Sequence, residues 1–185
     1  MNIEIDLVKQ WLEDIVIGLN LCPFAKPVFD RKQIHYVLLK DDNIESICRA
    51  FVDELLFLDG ANPTSISTSI LIIPSVANFH NYLDTFEIMD ALLDQAGFRG
   101  IFQIASFHPD YKFANTNDDD VENYTNRAPL PLVHIIREDD VERARTFYKD
   151  IHKIPETNMK TLADLGHKEV LHLFSELHTK RGRKQ

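Results

Sequence analysis

A histidine and an aspartate two residues apart have the types and the spacing for acid-base chemistry. They lie in the string His108-Pro109-Asp110. In an extended segment, residues i and i+2 point to the same side, and a proline favours an extended conformation of the residue before it. An imidazole beside a carboxylate can form a general base with its orienting group, or two adjacent metal ligands. The structural alternative is that Asp110 caps a turn while His108 lies on the surface at a strand end.

An arginine near the end of the same segment is a candidate anion-binding group. Arg127 closes the string Asn123-Tyr124-Thr125-Asn126-Arg127. A planar guanidinium with neighbouring amide and hydroxyl donors suits a carboxylate or a phosphate. The same guanidinium can instead compensate the acidic residues that precede it in the chain. The candidate substrate-binding residues are Arg127, Tyr111, Asn123, Tyr124, Asn126 and His134.

Three consecutive aspartates offer the oxygen ligands that Mg²⁺ and Ca²⁺ prefer. They are Asp118, Asp119 and Asp120, with Glu122 two residues further on. The run lacks the spacing and the glycine of a calcium-binding hand loop, and three adjacent side chains cannot all point inward. A solvated turn or a helix start is the alternative. A divalent metal therefore stays an open alternative, and the sequence has no Gly-rich phosphate loop that would indicate another cofactor.

A cysteine at the end of the first predicted helix is the candidate nucleophile. Cys22 follows a helix C-terminus, whose dipole opposes thiolate formation, so it would need a histidine brought close by the fold. His108 and His134 are the histidines considered for that role. The alternatives are structural, because a cysteine or a histidine among aliphatic residues is more often part of the core. The predicted catalytic set is His108, Asp110 and Cys22.

Most of these side chains lie in one connection, residues 108–129, which shows no helical or strand periodicity. A connection of about twenty residues in a compact domain is usually either functional or disordered. Tyr111, Phe113 and Tyr124 favour burial, so an ordered loop is expected. The loop follows a predicted strand, and the carboxyl ends of strands are common places for sites.

Apolar periodicity predicts the elements that must position this loop. Helices are predicted from Leu7 to about Asn20, after a capping box at Asp42 and Glu45, over 78–96, over 139–151, and on both sides of Gly166. Strands are predicted at Ile34–Leu39, Ser69–Ile73, Ile101–Phe107 and Leu132–Arg137.

Helices alternate with the first three strands, which favours a partly parallel sheet, whereas the third and fourth strands can pair antiparallel. The predicted fold is α+β, a two-layer sandwich with a four-stranded mixed sheet and helices packed on it. A small three-layer α/β fold is the alternative.

The 185 residues have an ordinary globular composition with an acidic balance. There are 20 basic and 29 acidic residues, a net charge of −9, and four of the bases fall in the last six positions. An acidic body repels phosphate backbones, which disfavours nucleic acid as a partner. We expect one globular domain over residues 1–179 and a disordered basic tail over 180–185.

The sequence also predicts a cytoplasmic protein with no membrane partner. No apolar run approaches the roughly 20 residues of a membrane span. The first residues lack the basic-then-apolar layout of a secretory signal. Two cysteines are no disulfide framework, which fits a reducing compartment.

Two long strings resemble a family of uncharacterised bacterial proteins, a domain of unknown function. The first is Gly18-Leu-Asn-Leu-Cys-Pro-Phe-Ala25, and the second is the block from Ala105 to Glu138, which contains His108-Pro-Asp and Asn123-Tyr-Thr-Asn-Arg127. The resemblance covers nearly the whole chain short of the basic tail, and it implies no activity.

From the residues alone, two classes of function stay open. The first is an enzyme that acts on a small anionic substrate, bearing phosphate or carboxylate, by acid-base hydrolysis or group transfer. Its site would be the 108–129 loop. The second is a non-catalytic binding or interaction module that uses the same loop as its recognition surface. The oligomeric state is left open by the sequence.

Overall fold

The structure, a computed structural model, describes residues 2–147 and 151–181. The helices are α1 (Ile3–Trp11), α2 (Ala25–Asp30), α3 (Ile44–Gly60), α4 (Phe79–Gln95), α5 (Glu138–Phe147), α6 (Ile154–Leu165) and α7 (His167–Arg181). The strands are β1 (Ile34–Leu38), β2 (Thr68–Ile72), β3 (Phe102–Phe107) and β4 (Leu132–Arg137). A π-helical segment, Leu12–Ile17, continues α1, and short 3-10 helices lie at Val121–Thr125 and Ile151–Lys153.

The four strands form one mixed sheet in the order β1-β2-β4-β3. Strands β1 and β2 are parallel, and β4 lies between β2 and β3, antiparallel to both. The predicted antiparallel pairing of the third and fourth strands is confirmed, with Phe107 opposite Leu132 and Phe102 opposite Arg137. The α+β class, with a four-stranded mixed sheet and helices packed on it, is confirmed as well.

Helices cover both faces of the sheet, so the layers differ from the predicted two. Leu71 and Ile73 point into a core with α3 and α4, while Ile70 and Ile72 point into a second core with α1, α6 and α7. All five residues of β2 are buried. A strand with both alternating faces apolar must be covered on both sides, and the layer arrangement is therefore that of the three-layer alternative.

The region after α1 is less regular than the predicted single helix. The π-helical segment widens the turn, and at Gly18 an added Cβ would lie 2.2 Å from the backbone oxygen of Asp14. Helix α2 was not predicted, because Pro23 and Pro27 read as helix breakers. Pro27 falls in the first turn of α2, where an amide has no partner within the helix.

The predicted helix starts and chain end can be compared with the structure in the same way. The helix predicted to begin at about Asn78 begins at Phe79, and Asn78 is its cap. Helix α3 is capped by Asn43, whose side chain accepts from the Glu45 amide at 2.8 Å, and not by Asp42. Of the predicted basic tail, residues 182–185 lie outside the described residues. Within the described ranges, none of the helices has both the length and the apolar character of a membrane span.

Candidate functional site

The 108–129 loop lies at one edge of the sheet. Strands β1, β2 and β3 run in the same direction, so their carboxyl ends meet at this edge, where β4 begins. The loop is ordered as expected. Its two arms are joined by backbone hydrogen bonds from His108 to Asn126 (3.2 Å) and from Ala128 to His108 (3.4 Å).

His108 is fully buried against the α4 side of this edge. Its ring lies 5.2 Å from the ring of Phe79 and 5.0 Å from that of Tyr82. The Asp110 amide donates to Nδ1 at 3.0 Å, so the neutral ring carries its proton on Nε2. The group that orients the imidazole is therefore the Asp110 backbone and not its carboxylate.

The buried position also decides the charge of His108. Burial lowers the pKa of His108, and the nearby backbone of Val76 and Ala77 and the charge of Asp110 oppose that shift. The backbone groups of Val76 and Ala77 favour the protonated ring. Nε2 nevertheless forms no hydrogen bond of regular geometry with the described residues. His108 is thus a neutral side chain packed between aromatic rings.

Arg127 ties the loop together through backbone oxygens. Its Nε donates to Tyr111 at 3.2 Å and its Nη2 donates to Asp118 at 2.7 Å. The guanidinium also lies over the Tyr124 ring at 4.2 Å. The sequence left two roles open for Arg127: binding an anion, or compensating the acidic residues of its own loop. The observed contacts are within the loop, but they go to backbone carbonyl groups and not to acidic side chains.

Asn123 holds the turn that precedes it. The side chain is fully buried, and its oxygen accepts from the Phe113 amide (3.0 Å) and the Thr116 hydroxyl (2.8 Å). Its Nδ2 donates to the Asn117 carbonyl at 2.7 Å. Asn126 makes the equivalent contact with the sheet, donating to the Ser106 carbonyl at 3.1 Å. These two amides fix the shape of the loop.

The three aspartates do not converge on a common point. Asp118 pairs with Lys112 at 2.7 Å, Asp120 accepts from the Asn117 amide at 2.7 Å, and Asp119 is exposed. The Lys112 contact lowers the pKa of Asp118. Among the described residues, no group of three or more His, Cys, Asp or Glu side chains is placed to hold a metal ion.

A cavity of about 590 Å³ opens between the loop and the face of the sheet that carries α1 and α6. This volume is typical of small-molecule sites, which are mostly apolar with a few polar groups. The apolar lining comes from the helical segments, the sheet and the loop: Trp11, Leu12, Val16, Leu21, Ala25, Ile70, Ala105, Phe107, Phe113, Ala114, Leu132, Ile136, Pro155 and Met159. The remaining lining residues are Cys22, Thr116, Glu122, Thr125, Asn126, His134 and Asn158.

His134 contributes a hydrogen-bond acceptor to this lining. Its Nε2 lies 2.7 Å from the Thr68 hydroxyl, which itself donates to the Ile135 carbonyl at 2.5 Å. Thr68 has one hydrogen, so it must accept from His134, and Nδ1 keeps its lone pair. Burial lowers the pKa of His134 to about 4, so the ring is neutral at pH 7.

Cys22 lines the same cavity with a protonated thiol. Burial raises the pKa of Cys22, and the nearby amides of Phe24 and Ala25 only partly oppose this. Burial thus acts in the same direction as the predicted dipole effect of the helix C-terminus. His108 packs on the other face of the sheet, so the structure brings Cys22 and His134 to one cavity but leaves His108 and Asp110 apart from them.

Several lining residues were missed by sequence reasoning. Trp11 and Phe107 were predicted as core and strand residues, and their exposure to a cavity depends on how α1 and the loop meet. The indole Nε1 of Trp11 is buried and has no hydrogen-bond partner among the described residues. Glu122 was considered only with the three aspartates as a metal ligand, and Ala105 only as the first residue of a string, so neither pointed to a cavity.

Fold and site together define an α+β protein with a small-molecule-sized cavity beside its mixed sheet. Residues 4–172 match a family described as a protein of unknown function (DUF1415), and the chain belongs to that family. No curated protein and no solved structure gives a significant match.

Residues of the strings 18–25 and 105–138 meet around the cavity. The first contributes Leu21, Cys22 and Ala25, and the second contributes Phe107 and Asn126 together with other loop residues. They are more than eighty positions apart in the chain. The cavity is therefore the feature of the fold to which both strings contribute.

Proposed function

We propose that this protein binds a small, largely apolar molecule in the cavity between the loop and the α1–α6 face of the sheet. The observation that carries the proposal is the cavity itself, about 590 Å³ and lined mainly by apolar side chains. Exposed apolar concavities of this size are costly to leave in water and mark binding sites. In this proposal the 108–129 loop is a wall of the binding site, held in shape by Asn123, Asn126 and Arg127.

The binding interpretation fits the loop better than the enzyme interpretation does. A general base must reach the proton it removes, but His108 is fully buried between aromatic rings. Arg127 donates to two carbonyl groups of its own loop and lies over the Tyr124 ring, so its guanidinium is already engaged within the loop. Catalysis by His108, Asp110 and Cys22, and anion binding by Arg127, stay predictions from the sequence.

The π-helical segment supports the same location. Leu12 and Val16 of that segment line the cavity. π-helical turns are rare and occur frequently at functional sites, because the widened turn shifts side chains relative to a regular helix. The segment and the loop thus both contribute walls of the cavity.

The chain carries its own reporter for the test, because Trp11 is its only tryptophan and lines the cavity. We would titrate the full chain with 1-octanol and follow the fluorescence of Trp11. A saturable change is expected for the wild type. Ala105→Leu places a larger side chain in the cavity and should abolish the change.

Ala91→Leu is the matched control, since Ala91 is exposed on α4 at the other face of the sheet. It should bind octanol as the wild type does. No saturable change in the wild type, or an unaltered change in Ala105→Leu with its fold intact by circular dichroism, would contradict the proposal.

A further inference from the structure

The charge around the cavity is one-sided. The lining contains Glu122 but neither lysine nor arginine, and its histidine is neutral. Glu122 is partly buried, and its carboxylate has no hydrogen bond or ion pair with the described residues. Thr125 donates to the backbone oxygen of Glu122 and not to its side chain. Lys160 borders a neighbouring surface concavity with Glu122 but makes no ion pair with it.

Three uncharged polar groups of the lining, on Thr116, Thr125 and His134, are acceptors. The Thr125 hydroxyl hydrogen is directed to Glu122 or Asn126, and that of Thr116 to Phe113 or Asn123. Each of these hydroxyl oxygens can therefore only accept from a further partner. Together with Nδ1 of His134, they call for a ligand that donates hydrogen bonds.

Aromatic rings in the lining also favour a ligand that carries a positive charge. The rings of Trp11, Phe107 and Phe113 all line the cavity. The negative face of an aromatic ring attracts a cation, most strongly where water is excluded. The indole N–H of Trp11 is a neutral donor and adds no positive charge that would favour an anion.

We propose that the ligand is an organic amine, with an apolar body in the cavity and an ammonium group that pairs with Glu122. This inference rests on the proposed function and names the ligand class for the same site. An alkylammonium supplies both the apolar surface and the N–H donors that Glu122, the two threonine hydroxyls and His134 can accept. A carboxylate of equal length would meet Glu122 as a like charge.

The test compares three octyl compounds at pH 7 with Trp11 fluorescence: octylamine, 1-octanol and octanoate. Octylamine should bind most tightly and octanoate most weakly. Glu122→Gln should weaken octylamine binding by about tenfold, the effect of one charge-assisted hydrogen bond, and leave octanol binding unchanged.

Asp119→Asn is the matched control, because it removes one negative charge from an exposed carboxylate of the same loop. It should leave the octylamine affinity at the wild-type value. An equal loss in this variant, or octanoate binding as tightly as octylamine, would overturn the amine assignment while the octanol result upholds the proposed function. If none of the three compounds binds, both proposals fail.

Discussion

The two helical layers that cover the sheet differ in regularity. On one face, α3 and α4 are both seventeen residues long and pack Phe51, Leu55 and Met89 against the strands. The buried hydroxyl of Tyr82 in this layer is paired on both sides. The Tyr82 hydroxyl donates to the Leu132 carbonyl and accepts from the Phe107 amide, both at 2.9 Å.

The other layer is built from shorter pieces. It consists of α1 with its π-helical continuation, α6, α7 and the loop with its 3-10 helix. Short elements with changing pitch cannot pack as two straight ridges, so they leave a concave space over the sheet. The irregular layer therefore supplies the candidate site, while α3 and α4 cover the opposite face of the sheet as a regular layer.

His108 and His134 follow the same division. His108 packs on the α4 side with one nitrogen accepting from Asp110. His134 lies on the cavity side with one nitrogen donating to Thr68 and the other unpaired among the described residues. His108, which belongs to the His-Pro-Asp motif, is thus part of the regular layer. His134, which lies on β4 outside any motif, lines the cavity.

The largest effect should come from the regular layer. Phe51 has no exposed surface, so Phe51→Ala should lower the free energy of unfolding by about 3–5 kcal/mol through lost burial and a new cavity. Urea denaturation measures this loss. Octanol binding by the folded fraction should be unchanged. A loss of octanol affinity equal to that of Ala105→Leu would contradict the conclusion that the α3–α4 layer takes no part in binding.

The next effect is the pH dependence conferred by His134. Its pKa is about 4 in the folded protein, below the ordinary value of 6.5, so the unfolded chain takes up the proton first. The stabilising effect is complete above pH 6.5 and is lost as the pH falls towards 4. His134→Phe should remove about 3 kcal/mol of that pH-dependent change. Urea denaturation at pH 7 and pH 4.5 tests this, and an equal slope in both proteins would contradict it.

A smaller effect is expected at the π-helical segment. Gly18→Ala brings a methyl group against the Asp14 backbone and should cost about 1–3 kcal/mol. It should also weaken octanol binding, because Leu12 and Val16 would shift. Gly60→Ala in α3 is the control, since nothing lies within 4 Å of its added Cβ. Equal stabilities of the two variants would show that the segment tolerates a side chain.

The smallest effect concerns the predicted His-Asp pair. Because the backbone of Asp110 orients His108, Asp110→Asn should change the free energy of unfolding by less than about 0.5 kcal/mol. NMR titration should find the His108 ring neutral at pH 7 in both proteins. A large change in either quantity would restore the carboxylate as the group that controls His108.

Local patterns were sufficient for most of the fold. Strand β4 was predicted with the bounds that the structure has, because Leu132–Arg137 is a short apolar segment rich in Leu, Val and Ile. The cap of α4 at Asn78 is likewise a local interaction. The π-helical turn and α2 were missed, because a turn of changed pitch and a proline in a first turn leave no periodic signal.

The candidate site, too, was predictable from the sequence only in part. The sequence alone predicted that the 108–129 loop is ordered and that it contains the string Asn123-Tyr124-Thr125-Asn126-Arg127, because the composition of the loop indicates a folded segment. The cavity was decided by the tertiary structure, because its walls come from residues as distant as Trp11 and Met159. The tautomer of His134 was decided there too, by a hydroxyl on another strand. Side-chain identity limits what chemistry a residue can perform, but burial and the partner of each polar atom determine what it performs, and these depend on contacts between segments remote in the chain.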